Sequence, residues 1–310
     1  INPQIKRLNI NQIKDSNNLF IGIFRNFQRI LKLRRAIIKS ESKTVISFIT
    51  STNIITILAS FNLKINVVIS ERNDPYLQKI DIIWRVLRYI TYPLANKITA
   101  NSHKATNFYK NLFTKSNVLY LPNPLPIINP GTHNENIILS IGKLEMQKGH
   151  DILLNAFAEC LKKDKIASSW KIKIVGSGKE LNSLLSLAKK LKISDNLIIK
   201  SNIDLKNEYK KARIFILASR FEGTSNALLE AISSGIPIIV SSNAASSIPF
   251  LNNRYNSVII DNINFKNLSE EILILIKNSQ KRKEYSINLL KDYNEHITKN
   301  NIIDIWNHAL

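Results

Sequence analysis

Apolar residues in this chain follow two rhythms. Short continuous runs rich in Ile, Val and Leu recur at 44–49, 66–70, 97–101, 117–121, 136–141, 171–175, 196–200, 213–217, 237–240 and 256–260. Runs of that length, bounded by Gly, Pro, Asn or Ser, fit strands buried on both faces. Stretches with a helical period lie between them, at 19–38, 53–61, 103–113, 180–191, 205–211 and 225–234, and two further helices follow the last strand, the final one over 301–310. Strand alternating with helix predicts parallel sheets covered by helices, an α/β architecture. In the first helix Leu19, Ile23, Phe27, Ile30, Leu31 and Ile37 share one side, and Arg25, Arg29, Lys32, Arg35 and Lys39 lie largely on the other. That pattern fits either a surface helix packed on a sheet or a helix whose cations face lipid phosphates. Residues 1–20 are polar and Asn-rich without a clear period.

With 310 residues and 44% hydrophobic content the chain can build two cores, hence two α/β domains. Prolines 122, 124 and 126 can continue neither sheet nor helix, so the first domain is expected over 1–125, a linker over 126–135 and the second domain over 136–295. No apolar run approaches the roughly 18 residues that cross a bilayer. The lone Cys160 sits among Ala156, Phe157 and Leu161 in a helical pattern, which reads as a small core residue in a reducing, cytosolic setting.

Charge alters the picture for the first half. The net charge is +21, and the first 125 residues carry 19 Lys plus Arg against 5 Asp plus Glu. Such an excess suits nucleic acid, an anionic membrane surface or anionic substrates, although abundant Asn and Ile beside Lys also fit a compositional bias. No RNA or DNA motif accompanies the charge and aromatics are not interleaved with it, so no nucleic-acid partner is expected.

Candidate chemistry concentrates at 219–240. Glu222 ends a predicted strand, Glu230 lies eight residues on inside a helix, and the backbone N–H groups of Gly223, Thr224, Ser225 and Asn226 belong to that helix's first turn. Anion-binding N–H groups with an acceptor-only carboxylate on each side suit a diphosphate flanked by two hydroxyl-rich rings, as in a nucleotide sugar. Upstream, the turn from Gly142 through Lys143 and Lys148 to Gly149 offers two ammonium groups before a helix, the outline of a diphosphate clamp. Gly176-Ser177-Gly178 lacks the third glycine of a dinucleotide fingerprint, Leu181 standing in its place. In the first domain, the loop holding Arg72, Asn73 and Asp74 follows a strand's carboxyl end and suits either a ligand site or a helix cap, and His103 suits either a polar site residue or a cap.

The run Glu222-Gly223-Thr224-Ser225-Asn226-Ala227-Leu228-Leu229-Glu230-Ala231, followed by Gly235-Ile236-Pro237, resembles the donor-site signature of retaining GT-B glycosyltransferases of family 4. The resemblance implies two Rossmann-like parallel-sheet domains with a cleft between them and a C-terminal helix, 296–310, crossing back to the first. It implies that Glu222 binds donor-sugar hydroxyls, Glu230 holds the ribose, Lys143 and Lys148 stabilise the departing diphosphate with Gly223 and Thr224 assisting, and Gly142, Gly176 and Gly178 border the nucleotide.

The block 70–78, with Trp84, Arg85, Arg88 and 92–96, is similar to a branch that adds N-acetylhexosamines to polyprenyl-diphosphate-linked glycans. The activity implied is transfer from a UDP-sugar to such an acceptor, without metal or other cofactor, by a cytoplasmic protein peripheral to the inner membrane. The sequence departs from the family pattern in three respects. Lys143 stands where Arg is usual; Ser246 and Ser247 are the obvious replacements for an absent Gly-x-x-Glu turn after Val240; and about 50 residues of first-domain βα structure are expected upstream of the strand at 44–49. A catalytically inactive remnant or scaffold is the alternative those departures raise.

Overall fold

The structure, a computed structural model, describes residues 19–124, 126, 128–299 and 302–309. It divides into two compact units, one running to Pro122 and including Ile305–Leu310, the other spanning Asn123–Asp304. Residues 1–18, most of the polar stretch without a clear period, lie outside the described residues.

In the first unit the order is α1 (Leu19–Ser40), β1 (Thr44–Phe48), α2 (Thr50–Ser60), β2 (Asn66–Glu71), α3 (Ile82–Thr91), β3 (Lys97–Ala100), α4 (His103–Leu112) and β4 (Val118–Tyr120). The strands pair in parallel in the order β1-β2-β3-β4. Ile54, Ile69, Tyr92, Ile98 and Tyr109 fill the core. Each such side chain, taken from water, contributes on the order of 1.5–3 kcal/mol.

Two boundaries differ from the sequence pattern for one reason. Ile49 adopts φ 76°, which ends β1 and starts α2 at Thr50 rather than at 53. Thr50 Oγ1 then reaches Glu71 Oε1 at 2.9 Å. The Tyr92 hydroxyl also donates to Glu71, and burial raises this carboxyl above the ordinary carboxylate range.

Helix α1 runs where its period predicts, but its faces differ from expectation. Ile37 is buried, whereas Phe27 and Leu31, together with Phe24 and Ile38, are exposed. What anchors the helix is polar: Arg34 Nη1 donates to the carbonyls of Ala59 (3.0 Å) and Phe61 (2.7 Å), satisfying the C-terminal end of α2.

The second unit holds β5 (Glu135–Ile141), α5 (His150–Lys163), β6 (Lys171–Val175), α6 (Leu181–Lys190), β7 (Leu197–Lys200), α7 (Leu205–Lys211), β8 (Ala212–Leu217), α8 (Asn226–Ser234), β9 (Ile238–Ser241), α9 (Ser242–Ala245), β10 (Val258–Ile260), α10 (Phe265–Lys277) and α11 (Ser279–Lys299). A last helix, α12 (Ile302–Ala309), ends the chain. Its Trp306 Nε1 donates to Pro122 O at 3.0 Å within the first unit. Cys160 is buried as its pattern predicts, and burial pushes its thiol up to about 12.

The six strands are parallel in the order β10-β9-β8-β5-β6-β7. The chain winds from β5 outward to β7, returns to β8 on the other side of β5, and winds outward again to β10. One face is covered by α5, α6 and α10 around Phe157 and Ile172; the other by α7, α8 and α11 around Phe215 and Leu229. The reversal lies between β5 and β8, and crevices of this kind outside the carboxyl ends of parallel strands are where open α/β sheets bind ligands. No described helix is long and apolar enough to cross a membrane.

Candidate functional site

Because β5 and β8 are neighbours, the turns that leave their carboxyl ends meet although they are far apart in sequence. The first turn runs from Gly142 to Gly149 and the second from Ala218 to Ser225. Gly149 closes the first at φ 67°, and a Cβ there would stand 2.0 Å from Ala218 O. Only glycine allows both the left-handed backbone and that approach.

Polar bonds tie the turns together. Arg220 N donates to Gln147 O at 2.8 Å, Gln147 Nε2 to Phe221 O at 3.0 Å, and Arg220 Nη1 to Met146 O at 2.6 Å. Arg220 also forms a two-pronged pair with Asp151 at 2.9 and 2.7 Å. Burial works against the Asp151 carboxylate, but the Arg220 fork outweighs it and holds the acid below its ordinary range.

On this platform Lys148 and Glu222 meet. The Lys148 ammonium donates to Glu222 Oε1, which also accepts from Ser219 Oγ at 3.0 Å. Glu222 is buried and Lys148 mostly so. Both contacts use Oε1, which leaves Oε2 to accept from a ligand hydroxyl. The Lys148 stem lies 3.2 Å from the Cβ position of Gly142, so any side chain at 142 would crowd it. Lys143 is exposed on the same turn.

The third turn is bonded to the first: Gly142 N donates to Val175 O, and Leu144 N to Ser177 O, each at 3.0 Å. A Cβ on Gly176 would fall 1.9 Å from Gly142 O, and one on Gly178 would fall 2.5 Å from Leu144 O. Gly142 thus stands beside Lys148, and Gly176 and Gly178 stand against the backbone of Gly142 and Leu144 on the same turn.

Gly223 and Thr224 lead into α8, whose N-cap is Ser225 accepting from Leu228 N at 3.4 Å. The sequence reading begins the helix at 225; the cap geometry makes Asn226 its first residue. Asn123, in the proline-rich segment, donates from Nδ2 to Thr224 O (3.0 Å) and Asn226 Oδ1 (2.6 Å), which buttresses the turn before α8. Glu230, half-buried on α8, accepts from Tyr209 OH at 3.0 Å, and the same hydroxyl reaches Ala227 O at 3.1 Å. Burial and then the neighbouring Glu230 raise the Tyr209 pKa, so this phenol stays a proton donor to the carboxylate.

Ser246 and Ser247, the expected replacements for the acidic turn, bond within their own segment. Their hydroxyls donate back to Asn243 O (2.9 Å) and Ala244 O (3.2 Å) within their own segment, as Ser side chains do when a carbonyl is one turn away. The residues after β8 are instead held by Ser241 Oγ on Ser219 O (2.7 Å) and Asn243 Nδ2 on Arg220 O (2.9 Å).

Arg72, Asn73, Asp74 and His103 belong to the first unit. Arg72 lies between the rings of Phe48 (5.1 Å) and Trp306 (5.6 Å) and donates to Leu121 O at 3.2 Å. Burial lowers its pKa to about 10, a value at which it is still cationic near neutrality. That geometry joins α12 to the first unit through stacked rings. Asp74 pairs with Lys104 at 2.8 Å and accepts from Tyr76 N at 2.9 Å, a turn-stabilising role. Asn73 is half-buried in the same loop. His103 starts α4 and stacks on Tyr120 at 4.1 Å, while the cap itself is Ser102.

His150, the first residue of α5, is buried beside Ser140, 3.4 Å from Oγ. Burial pulls its pKa from 6.5 to about 4. Between those two values the unfolded chain binds a proton that the folded chain does not, so stability falls as pH drops through that window. The shift corresponds to a loss of order 3 kcal/mol. Urea denaturation above pH 6.5 and again near pH 4 is expected to give a smaller acid-induced loss for His150→Asn than for the native chain; equal losses would remove His150 from the account.

Comparisons with known proteins bear on the family and the fold. The family model described as glycosyl transferases group 1 matches residues 127–291. An alpha-1,4-N-acetyl-D-galactosaminyltransferase of Campylobacter jejuni, named for a GalNAc-GalNAc-diNAcBac undecaprenyl-diphosphate substrate, is 29% identical over 222 residues, 70% of this chain and 60% of its own length. The crystal structure of TarM, a Staphylococcus aureus protein, superposes with a TM-score of 0.78 at 16% identity, covering 90% of this chain and 58% of TarM. The pneumococcal O-GlcNAc transferase GtfA, solved with UDP and GlcNAc, superposes at 0.73 with 14% identity, over 89% of this chain and 58% of GtfA. The chain thus spans about three fifths of the length of each of these three relatives.

Proposed function

This chain belongs to the glycosyl transferases group 1 family and has the two parallel-sheet α/β units of the GT-B fold, and from that premise we propose that it moves an N-acetylhexosamine from a UDP-linked donor onto a polyprenyl-diphosphate-linked glycan with retention at the anomeric carbon. The observation that carries the reading is the meeting of Lys148 and Glu222 at the β5/β8 reversal, with Gly223 and Thr224 beside them. The name of the Campylobacter relative supports the sugar and acceptor classes, and the UDP and GlcNAc in the GtfA complex support the donor class.

The donor diphosphate would take the Lys148 ammonium from Glu222 and accept from the N–H groups of Gly223 and Thr224 at the start of α8. Glu222, released from that pair but still held by Ser219, would accept from donor-sugar hydroxyls. As the bond from the anomeric carbon to the diphosphate oxygen breaks, negative charge builds on UDP, and Lys148 stabilises it where it appears. A hydroxyl of the acceptor glycan supplies the oxygen of the new bond, and its proton passes to the departing diphosphate oxygen. Lys148, aided by the exposed Lys143, supplies the positive charge that a divalent metal supplies in other transferases, so no metal is required.

Glu230, oriented by Tyr209, would accept from the ribose hydroxyls. An ionised acceptor of this kind contributes roughly 1.5–3 kcal/mol. Calorimetry with UDP and with UDP-N-acetylhexosamines is therefore expected to show Glu230→Ala binding both roughly tenfold to a hundredfold more weakly. Undiminished binding by that variant would remove Glu230 from the ribose role. An acceptor anchored by its lipid tail implies that the chain works at the cytoplasmic face of a membrane.

A further inference from the structure

Lys148 sits in a short segment that one residue of the neighbouring turn holds on both sides. The segment opens with a single tight helical turn, Met146–Lys148, and continues through Gly149 into α5. Turns of this kind have poor hydrogen-bond geometry of their own and take their placement from what they are bonded to. Arg220 supplies that placement. Its amide N–H donates to Gln147 O, its Nη1 to Met146 O, and its fork to both oxygens of Asp151, on the far side of Lys148. Two carbonyls before the lysine and one carboxylate after it are thus bound to a single residue.

Arg220 is itself fixed from two sides. Asn243 Nδ2 donates to its carbonyl, and Gln147 Nε2 donates to the carbonyl of Phe221, the next residue. Glu222, which holds the Lys148 ammonium, follows one position later. The Arg220 and Asp151 side chains are each about a third exposed, a setting in which an ion pair adds little to stability. What the fork adds is direction, because a planar guanidinium meets a carboxylate and a carbonyl together only in one placement.

We infer that Arg220 is a positioning residue for sugar transfer, acting through Lys148 by holding its ammonium where the donor diphosphate departs. The inference rests on the reading of Lys148 as the diphosphate partner and names the residue that sets its geometry. Misplacing a catalytic group by about 1 Å costs up to roughly a hundredfold in rate, far more than the loss of an exposed ion pair costs in stability. Direct contact of Arg220 with the donor fits less well, since both of its terminal nitrogens are engaged with Met146 and Asp151. Arg220→Lys keeps the charge but offers a point in place of a fork, so it should restore little.

The test pairs a kinetic reading with a chemical one. In transfer from a UDP-N-acetylhexosamine, Arg220→Ala is expected to lower kcat roughly tenfold to a hundredfold, with KM little changed and a thermal melt close to native. Guanidinium chloride far below denaturing concentrations should restore part of kcat, by occupying the place between Met146 O and Asp151. In a Lys148→Ala background the same substitution is expected to cost nothing further, a coupling that a merely structural residue does not show. Independently of transfer, brief acetylation read by mass spectrometry should label Lys148 several-fold faster in Arg220→Ala than in the native chain, with Lys143 labelled equally in both. Should Arg220→Ala fail to fold, Asp151→Asn weakens the same fork and carries the same two measurements. Native kcat beside an impaired Lys148→Ala, an additive loss in the double variant, or unchanged labelling of Lys148 would each overturn the inference. Faster labelling of Lys148 together with native transfer by Lys148→Ala would instead sink the diphosphate reading and leave Arg220 as the residue that places this lysine.

Discussion

Lys148→Ala is expected to lower the turnover of sugar transfer roughly 10- to 1000-fold, the scale of removing one preorganised group that stabilises charge in the transition state. The loss should fall mainly on kcat, because the ammonium is paired with Glu222 before any donor arrives and its interaction with UDP strengthens as the bond breaks. Lys143→Ala serves as the comparison: that side chain is exposed, screened by water and lacks the fixed geometry of its neighbour, so its removal should cost far less. Both assays would be run with a polyprenyl-diphosphate glycan acceptor and with EDTA present, since the lysines carry the proposed charge compensation. Native turnover by Lys148→Ala would end its assignment as the diphosphate partner, and abolition of native activity by EDTA would end the metal-free account.

The second large effect concerns stability. Gly149→Ala places a Cβ in a left-handed backbone conformation and 2.0 Å from Ala218 O, a backbone atom of the neighbouring turn. The conformational part costs roughly 1–2 kcal/mol and the overpacking about 1–3 more, together a large fraction of the stability of an ordinary domain. Gly235→Ala is the control. It has a similar φ of 73°, but its added Cβ would meet the flexible Leu290 side chain, with Cδ1 at 2.8 Å, so about 1–2 kcal/mol is expected. Urea midpoints decide between them; equal losses for the two variants would show that the approach to Ala218 carries no weight.

The turn from Ala218 to Ser225 and the helix after it were legible in the sequence because their information is local. Glu222, Ser225 and Glu230 are fixed by a strand end, a cap and a helix, each with its own pattern within a few residues. The alternation of apolar runs likewise carried both sheets and most helices. What sequence could not show is what crosses the chain. The Arg220 fork on Asp151, the Tyr209 hydroxyl on Glu230 and the Asn123 brace on Thr224 join residues 69, 21 and 101 positions apart, and no spacing encodes those meetings. Asn123 was nevertheless within a flagged segment, its neighbouring prolines being the signal.

Other differences have equally specific causes. Helix α3 sets an apolar arc against a side that carries Arg85 and Arg88, and its residues entered the sequence reading only as a resemblance block. Helix α1 shows the converse: its period fixes which side chains share a face but not what covers them, and Phe27 and Leu31 lie exposed. Arg72, read as a ligand-facing candidate from its position after a strand, is sandwiched between Phe48 and Trp306, a contact that requires the last helix to have come back.

The joining of the two turns also constrains how the chain folds. Lys148 and Glu222 stand 74 positions apart, and β5 cannot pair with β8 until everything between them has been made and gathered in. Closing a loop of that length precedes the contacts that reward it, which makes parallel pairings of high sequence separation slow. During synthesis the lysine turn therefore emerges well before its partner. In refolding, nucleotide affinity should be recovered late, after the helical signal has returned.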